Sequence, residues 1–137
     1  ERRAITPTRV QLLNKSPRAF AEFIGLLRQH SALGSANTLR GYQALRPSLS
    51  DFAAEMAACT VPALIVSGDA DEPCLDASLM LKRAMPSAGL VFLPQTGHAC
   101  NLEEPDLFNA ACERFFHQVE SGQYRMRDPR ASGGRML

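Results

Sequence analysis

The stretch that decides the fold of this chain runs from residue 61 to residue 105, VPALIVSGDADEPCLDASLMLKRAMPSAGLVFLPQTGHACNLEEP. Two apolar runs within it, 63–66 and 90–93, are each followed by a polar turn. The segment between them has helical length, and its apolar residues recur at helical spacing. A strand, a helix and a second strand in this order predict two parallel strands joined by a right-handed crossover. The predicted fold class is therefore α/β.

One acidic and one basic side chain follow the two predicted strands. Asp71 lies in the turn after the first strand, and His98 lies in the turn after the second. Neighbouring parallel strands are about 5 Å apart and end at the same edge of the sheet, so we expect these side chains to meet. A carboxylate that accepts the imidazole N–H fixes the tautomer and makes the other ring nitrogen a general base.

A plainer interpretation of the same residues stays open at this stage. Asp71 can be a turn residue that bonds its own backbone, and His98 can be a polar loop residue. Asp69, in the same turn, is a second candidate acid; its position directly after Gly68 favours a structural role. Gly97 precedes the histidine and is expected to let the backbone turn tightly there.

Helices are predicted on both sides of the strands. Apolar spacing indicates a helix from Pro17 to about His30, and Gly34 within residues 31–35 indicates a break. A second helix is expected over 36–45, and a third begins near Ser48 or Ser50. A strongly amphipathic helix closes the chain after Pro105 and ends near Gly122.

Composition excludes several classes of function. The chain has 137 residues, enough for one domain with a modest core, and its net charge of +1 gives no electrostatic reason to expect nucleic acid or an anionic membrane as partner. No apolar run approaches the roughly 18 residues that suggest a membrane span, so we expect a cytoplasmic protein. The four cysteines lack metal-like spacing and are expected to be free thiols. We expect no metal and no organic cofactor.

The residues quoted above resemble a known family. V-P-x-L-I-V-x-G-D-x-D-x-P, a helix, and L-P-x-T-G-H-x-x-N-L-E-E-P-D-x-F-N are similar to the C-terminal third of the α/β-hydrolase fold, over roughly residues 60–119. In that family the chain order is nucleophile, acid and base. The resemblance implies that Asp71 is the acid and His98 the base of a catalytic triad.

The resemblance also implies the domain organisation. Residues 1–58 are expected to be a helical segment similar to a cap domain, residues 59–121 the C-terminal β-α-β-α part of the hydrolase core, and residues 122–137 a loose tail. The family needs a nucleophile in a G-x-S-x-G elbow and an oxyanion-hole loop, and neither motif occurs in this sequence. We therefore expect the chain to be the C-terminal fragment of a longer hydrolase.

Two functions follow as hypotheses. In the first, the chain supplies acid and base, but not the nucleophile, to an esterase-like hydrolase that acts on a small-molecule substrate, and the chain alone is inactive. The resemblance leaves dehalogenase, epoxide hydrolase and C–C hydrolase open beside the esterase, because these differ chiefly in the nucleophile and the cap pocket. The partner is then the missing N-terminal half of the fold. In the second, the chain is a non-catalytic interaction module that completes its sheet with another protein or a second copy of itself. Exposed strand edges motivate both hypotheses, because two strands cannot cover their own edges.

Overall fold

Two parallel strands form the centre of the structure, a computed structural model that describes residues 6–132. β1 (Ala63–Gly68) pairs with β2 (Ala88–Leu93) in register, from the Ala63–Ala88 pair to the Gly68–Leu93 pair. The helix Glu72–Ala84 connects the strands and packs against both of them. Both the α/β fold class and the parallel pairing are therefore confirmed.

Short helices precede the strands and a long helix follows them. The helices are α1 (Val10–Lys15), α2 (Pro17–Leu27), α3 (Ala32–Thr38), α4 (Ala53–Ala58), α5 (Glu72–Ala84), α6 (Cys100–Glu103) and α7 (Pro105–Glu120). A π-helical turn (Leu39–Gln43) continues α3, and 3-10 turns cover Leu49–Phe52 and Pro129–Ser132. A proline in the first turn starts α2, α5 and α7, as expected of a residue that has no N–H to leave unpaired.

The break predicted over residues 31–35 is observed slightly earlier, at residues 28–31, and α3 begins at Ala32. The Ser31 side chain accepts the Gly34 N–H at 3.1 Å and caps α3, which runs through Gly34. A serine cap stabilises a helix start by about 1 kcal/mol, similar to what glycine costs inside a helix, so the cap offsets the glycine. The start expected near Ser48 is observed, because Ser48 and Asp51 form a reciprocal capping box.

The best-buried hydrophobic side chain belongs to a helix that the sequence did not predict. Leu12 of α1 is fully buried, and α1 packs against α6 beside the loop that carries His98. The Lys15 ammonium at the end of α1 donates to the Thr96 hydroxyl and pairs with the Glu104 carboxylate. The N-terminal residues therefore contact the region that follows β2.

Part of the segment predicted as a loose tail is held against the strands. The single O–H proton of Tyr124 is shared between the backbone oxygens of Ala63 and Ser87, which lie 3.1 and 3.0 Å from the hydroxyl oxygen. The Arg127 guanidinium donates to the last backbone oxygens of α5, those of Lys82 and Arg83. Those carbonyls have no partner within their own helix, which explains why an arginine binds there. Residues 133–137 of the predicted tail lie outside the described residues.

The helices between α2 and β1 are far less buried. From residue 26 to residue 55 every residue is exposed except Ala36, which is half-buried. Met56 of α4 is the next buried side chain along the chain. Among residues 6–132 we find no helix with both the length and the apolarity that crossing a membrane requires.

Candidate active site

Backbone hydrogen bonds join the two turns that follow the strands. Asp69 N–H donates to the Leu93 oxygen at 3.0 Å, and Ala70 N–H donates to the Thr96 oxygen at 2.9 Å. In the other direction, Thr96 N–H donates to Oδ1 of Asp69 at 3.2 Å. The structural role expected for Asp69 agrees with this contact, because its carboxylate ties the first turn to the second.

The closest approach of the two turns occurs at Gly68. A Cβ atom placed on Gly68 would lie 2.0 Å from the Thr96 oxygen and 2.4 Å from the Gly97 oxygen. Any side chain at this position would displace the backbone of the second turn. Glycine at residue 68 therefore allows the acid-bearing and histidine-bearing turns to touch.

This contact brings Asp71 and His98 together. His98 Nδ1 lies 2.7 Å from Oδ2 of Asp71. Asp71 is 3% exposed, whereas the His98 side chain is 59% exposed. A carboxylate can only accept, so Nδ1 carries the shared proton and Nε2 is left as the acceptor. The other Asp71 oxygen, Oδ1, is buried and receives no N–H or O–H hydrogen bond from residues 6–132.

A cysteine completes the surroundings of the Asp71 carboxylate. Cys74 Sγ lies 3.7 Å from His98 Nδ1. A hydrogen bond to Asp71 raises the pKa of the Cys74 thiol to about 11, with further contributions from burial and from the Asp71 charge. Burial also raises the pKa of the Cys100 thiol. Cys74 is thus held in its protonated, weakly nucleophilic form.

The same cluster contains donor atoms that a metal ion can bind. One donor atom each from Asp71, Cys74 and His98 lie within 4.8 Å of one another, and zinc uses all three ligand types. The carboxylate and the imidazole are already hydrogen-bonded to each other, and a metal ion would have to replace that hydrogen bond. We therefore interpret the cluster as a hydrogen-bonded group centred on Asp71.

The loop that carries His98 is fixed by residues that sequence reasoning missed. Glu103 is 6% exposed, and its carboxylate accepts the N–H groups of Gly97 and Ala99. The His98 N–H between them donates to the Thr8 oxygen at 3.1 Å. A glutamate five residues after the histidine is visible in the sequence, but nothing there shows that it folds back.

Backbone conformation in this turn differs from expectation. Gly97 was expected to allow a tight turn, yet within the described residues the positive φ angles belong to Gln95 (52°) and Gly122 (67°). A side chain at Gly97 would instead be crowded, because its Cβ would lie 3.0 Å from Oε1 of Glu103 and 3.1 Å from the Thr8 oxygen. Gln95 therefore carries the left-handed conformation that reverses the chain after β2.

The other histidines and an open groove beside α5 lie apart from this pair. His30 and His117 are exposed residues at the end of α2 and on α7. An open groove separates residues 41–52 from α5, and Tyr42, Leu45 and Met80 are among its lining residues. Neither Asp71 nor His98 lines it.

A buried carboxylate that holds an exposed imidazole, at the carboxyl ends of parallel strands, is the way α/β enzymes of the hydrolase type present an acid and a base. Comparisons with known proteins agree with that class. Over 78 residues the chain is 40% identical to "Putative carbamate hydrolase RutD" of Klebsiella pneumoniae, a match that covers 56% of this chain and 28% of that protein. It is 34% identical over 83 residues to "Protein ABHD14A" of Mus musculus, covering 59% of this chain and 34% of that protein.

A third relative is named as a synthase rather than as a hydrolase. The chain is 29% identical over 96 residues to "Putative 2-succinyl-6-hydroxy-2,4-cyclohexadiene-1-carboxylate synthase" of Bacillus subtilis (strain 168), covering 69% of this chain and 34% of that protein. No family model matches the chain, and no solved structure matches it. The chain spans between 28% and 34% of the length of these three relatives. They are members of the α/β-hydrolase family, and the resemblance to that family is confirmed.

Proposed function

We propose that this chain is the C-terminal part of an α/β-hydrolase and supplies the acid, Asp71, and the base, His98, of a Ser-His-Asp type site. The observation that carries the proposal is the 2.7 Å contact between His98 Nδ1 and Asp71 Oδ2, at the point where two parallel strands end. The short span of the chain relative to its relatives supports the view that the nucleophile lies in sequence outside these residues.

The proposed chemistry follows from the tautomer. With its Nδ1 proton held by the Asp71 carboxylate, His98 presents a free Nε2 on its exposed side. Nε2 takes the proton of the nucleophile as the nucleophile forms a bond to the substrate carbonyl carbon, and passes that proton to the leaving oxygen or nitrogen as the acyl bond breaks. A water then attacks the acyl-enzyme; His98 accepts the proton from that water and returns it to the nucleophile.

The substrate class we propose is a small acyl compound, an ester or a carbamate. Both present a carbonyl carbon with a heteroatom leaving group, so one base can serve both. The word hydrolase in the name of the Klebsiella relative supports this choice. The interaction-module alternative gains no support from the relatives, and we do not favour it.

The organisation of the chain is part of the proposal. Residues 59–121 would be the end of the hydrolase core and residues 1–58 a cap-like helical segment. The low burial of residues 26–55 supports a peripheral position for those residues, and the contacts of residues 8–15 with the His98 loop and α6 support a position beside the proposed core for that part of the chain.

The test uses the complete polypeptide that carries this segment, together with the 137-residue chain. The complete polypeptide should hydrolyse p-nitrophenyl acetate or a phenyl carbamate, and a fluorophosphonate should label its nucleophile. His98→Ala should lower kcat by about 10⁴ or more, and Asp71→Asn by about 10⁴, because each removes the base or its tautomer control. His117→Ala and Asp106→Asn, two exposed residues of α7, are the matched controls and should leave kcat unchanged.

Two results would contradict the proposal. Full activity of His98→Ala in the complete polypeptide would remove the base from the mechanism. Saturable turnover by the 137-residue chain, lost in its His98→Ala variant, would show that the nucleophile lies within these residues. The expected result for the 137-residue chain is no turnover above buffer and no labelling by the fluorophosphonate.

A further inference from the structure

Three consecutive backbone N–H groups around His98 are all occupied. Gly97 N–H donates to Oε2 of Glu103 at 2.6 Å, and Ala99 N–H donates to Oε1 of the same carboxylate at 3.3 Å. His98 N–H, between them, donates to the Thr8 oxygen at 3.1 Å. The loop is therefore held by one carboxylate from the end of α6 and by one carbonyl from the segment before α1.

Glu103 is well suited to this role because it is buried and charged. It is 6% exposed, so its carboxylate has left water and needs hydrogen bonds in the protein. Hydrogen bonds from backbone N–H groups to a carboxylate are roughly twice as strong as those between neutral groups. Glu103 therefore holds the loop in place, and the N–H groups of the loop provide the hydrogen bonds that the buried carboxylate needs.

Little else in the structure fixes the direction of the His98 ring. The His98 side chain is 59% exposed, so packing around the imidazole provides only a weak constraint. At Gly97 the backbone lies between Oε1 of Glu103 and the Thr8 oxygen, which would both be within 3.1 Å of a Cβ atom. The orientation of the imidazole therefore depends on where the backbone places its Cα, and on the contacts of Nδ1 with Asp71 and Cys74.

We propose that Glu103 is a positioning residue for His98. Its carboxylate holds residues 97–99 in the one arrangement that brings Nδ1 to the Asp71 carboxylate and leaves Nε2 on the open side. The catalytic meaning of this role rests on the proposed function, whereas the geometric role does not. Glu103 touches neither Asp71 nor the imidazole, so it acts through the backbone.

The Glu103→Gln variant tests this positioning role directly. Glu103→Gln keeps the size of the side chain but replaces one acceptor oxygen by an NH₂ group, which would face a backbone N–H that also donates. One of the two hydrogen bonds to Gly97 and Ala99 must then be lost. Glu104→Gln is the matched control, because Glu104 is the adjacent glutamate and pairs with Lys15 rather than with the loop.

The experiment is NMR on the ¹⁵N-labelled complete polypeptide that carries this segment, in the absence of substrate. The readouts are the low-field Nδ1 proton of His98, the imidazole tautomer from long-range ¹H–¹⁵N correlations, and hydrogen exchange at the amides of Gly97 and Ala99. In Glu103→Gln we expect exchange at these amides about ten- to a hundredfold faster and loss of the low-field Nδ1 proton. Glu104→Gln should retain both signatures.

Each outcome decides the proposal. A folded Glu103→Gln chain with an unchanged Nδ1 proton, or equal losses in both variants, would overturn it. If Glu103→Gln fails to fold, a temperature series on the unmutated chain decides: below global unfolding, the Gly97 amide protection and the Nδ1 proton should disappear together. An Nδ1 proton that persists after Gly97 exchanges freely would overturn the proposal.

A readout in the complete polypeptide separates this inference from the proposed function. There Glu103→Gln should lower kcat with KM nearly unchanged, because binding groups are untouched while the base is misplaced. If the complete polypeptide has no hydrolase activity, the NMR result still stands. If activity is present and the NMR signatures of Glu103→Gln match those of the unmutated chain, the proposed function survives and the positioning role is refuted.

Discussion

The turns that follow β1 and β2 and the helical stretch from residue 26 to residue 55 are held in different ways. In the turns, specific backbone contacts and two carboxylates, Asp69 and Glu103, fix the chain residue by residue. In the helical stretch, Ser31 and Ser48 cap helices locally, while Leu33 and Leu45 are 70% and 75% exposed. Capping decides where a helix begins, but burial of an apolar face is what secures its position.

The difference shows where this chain is intolerant of change. Where the backbones of two turns are in contact, no flexible side chain lies between them that could shift to relieve a steric clash. A capped, exposed helix has free space around most of its surface. Mutations of the same type are therefore expected to change the free energy of unfolding by different amounts in the two regions. A pair of variants, one in each region, measures that difference.

The largest expected difference is between two glycine-to-alanine variants. Gly68→Ala places a Cβ 2.0 Å from the Thr96 oxygen, so the two turns must separate or the variant must fail to fold cooperatively. We expect a loss of more than about 4 kcal/mol in the free energy of unfolding, as for the severest single substitutions. Urea denaturation followed by circular dichroism measures it.

Gly41→Ala is the control for this prediction. Nothing lies within 4 Å of a Cβ at Gly41, and the φ angle of Gly41 is not positive. Alanine there should stabilise the chain by about 0.4–1 kcal/mol through the lower entropy of the unfolded state. A Gly68→Ala chain within about 1 kcal/mol of the unmutated one would show that the turns are not in the tight contact described.

The sequence predicted those parts of the fold that depend on local pattern. The apolar runs gave β1 and β2, and the spacing between them gave the crossover helix and the parallel pairing. The closing helix was equally visible, because its apolar residues recur every three or four positions. The expectation that Asp71 and His98 approach each other followed from parallel topology alone; their catalytic roles stay a prediction.

What the sequence did not predict depends on contacts between distant residues. Leu12 looks like any leucine in a polar segment, and its burial arises only when α1 packs on α6. Gly34 predicts a helix break, but the break lies just before it, because the Ser31 cap starts α3 ahead of the glycine. Glu103 and Gly68 were both in the quoted stretch, but their functions require the three-dimensional approach of two backbones.

The second prediction concerns a thiol in the turn region and its dependence on Asp71. With a pKa of about 11 in place of 9.0, the thiolate fraction of Cys74 at pH 8 is about a hundredfold lower. The thiolate of a more basic thiol is intrinsically more nucleophilic, which offsets part of the loss in thiolate fraction. Alkylation of Cys74 should therefore be about tenfold slower than alkylation of an ordinary thiol. In Asp71→Asn the main cause of the shift is removed, and the rate should rise by a similar factor.

Site-resolved mass spectrometry after iodoacetamide treatment gives the rate for Cys74, and Cys59 in the same chain reports whether the fold has opened. Because the pKa of the Cys74 thiol is raised in the folded state, the free energy of unfolding depends on pH. The protonated thiol stabilises the fold below pH 9, and this contribution is lost as the pH rises from about 9 to about 11. Alkylation of Cys74 that is as fast as that of an ordinary thiol, and unchanged in Asp71→Asn, would contradict the contact with the carboxylate.

The smallest expected difference is between two tyrosine-to-phenylalanine variants. The Tyr124 hydroxyl, whose pKa is raised by burial, shares its proton between the backbone oxygens of Ala63 and Ser87 at the start of the strand pair. Phenylalanine keeps the edge-on contact with Phe115, 5.2 Å between ring centroids, and removes only this shared hydrogen bond. We expect a loss of about 1 kcal/mol in the free energy of unfolding.

Tyr42 is the matched residue in the helical stretch, where it is 62% exposed. Tyr42→Phe should change the free energy of unfolding by less than about 0.5 kcal/mol, as surface substitutions usually do. Equal losses in the two variants would show that residues near Tyr42 are as firmly held as the strands. A loss confined to Tyr124→Phe would show that a residue 61 positions beyond Ala63 helps to hold the strand pair whose far ends carry Asp71 and His98. The precision of the candidate site would then depend on contacts at both ends of the strands.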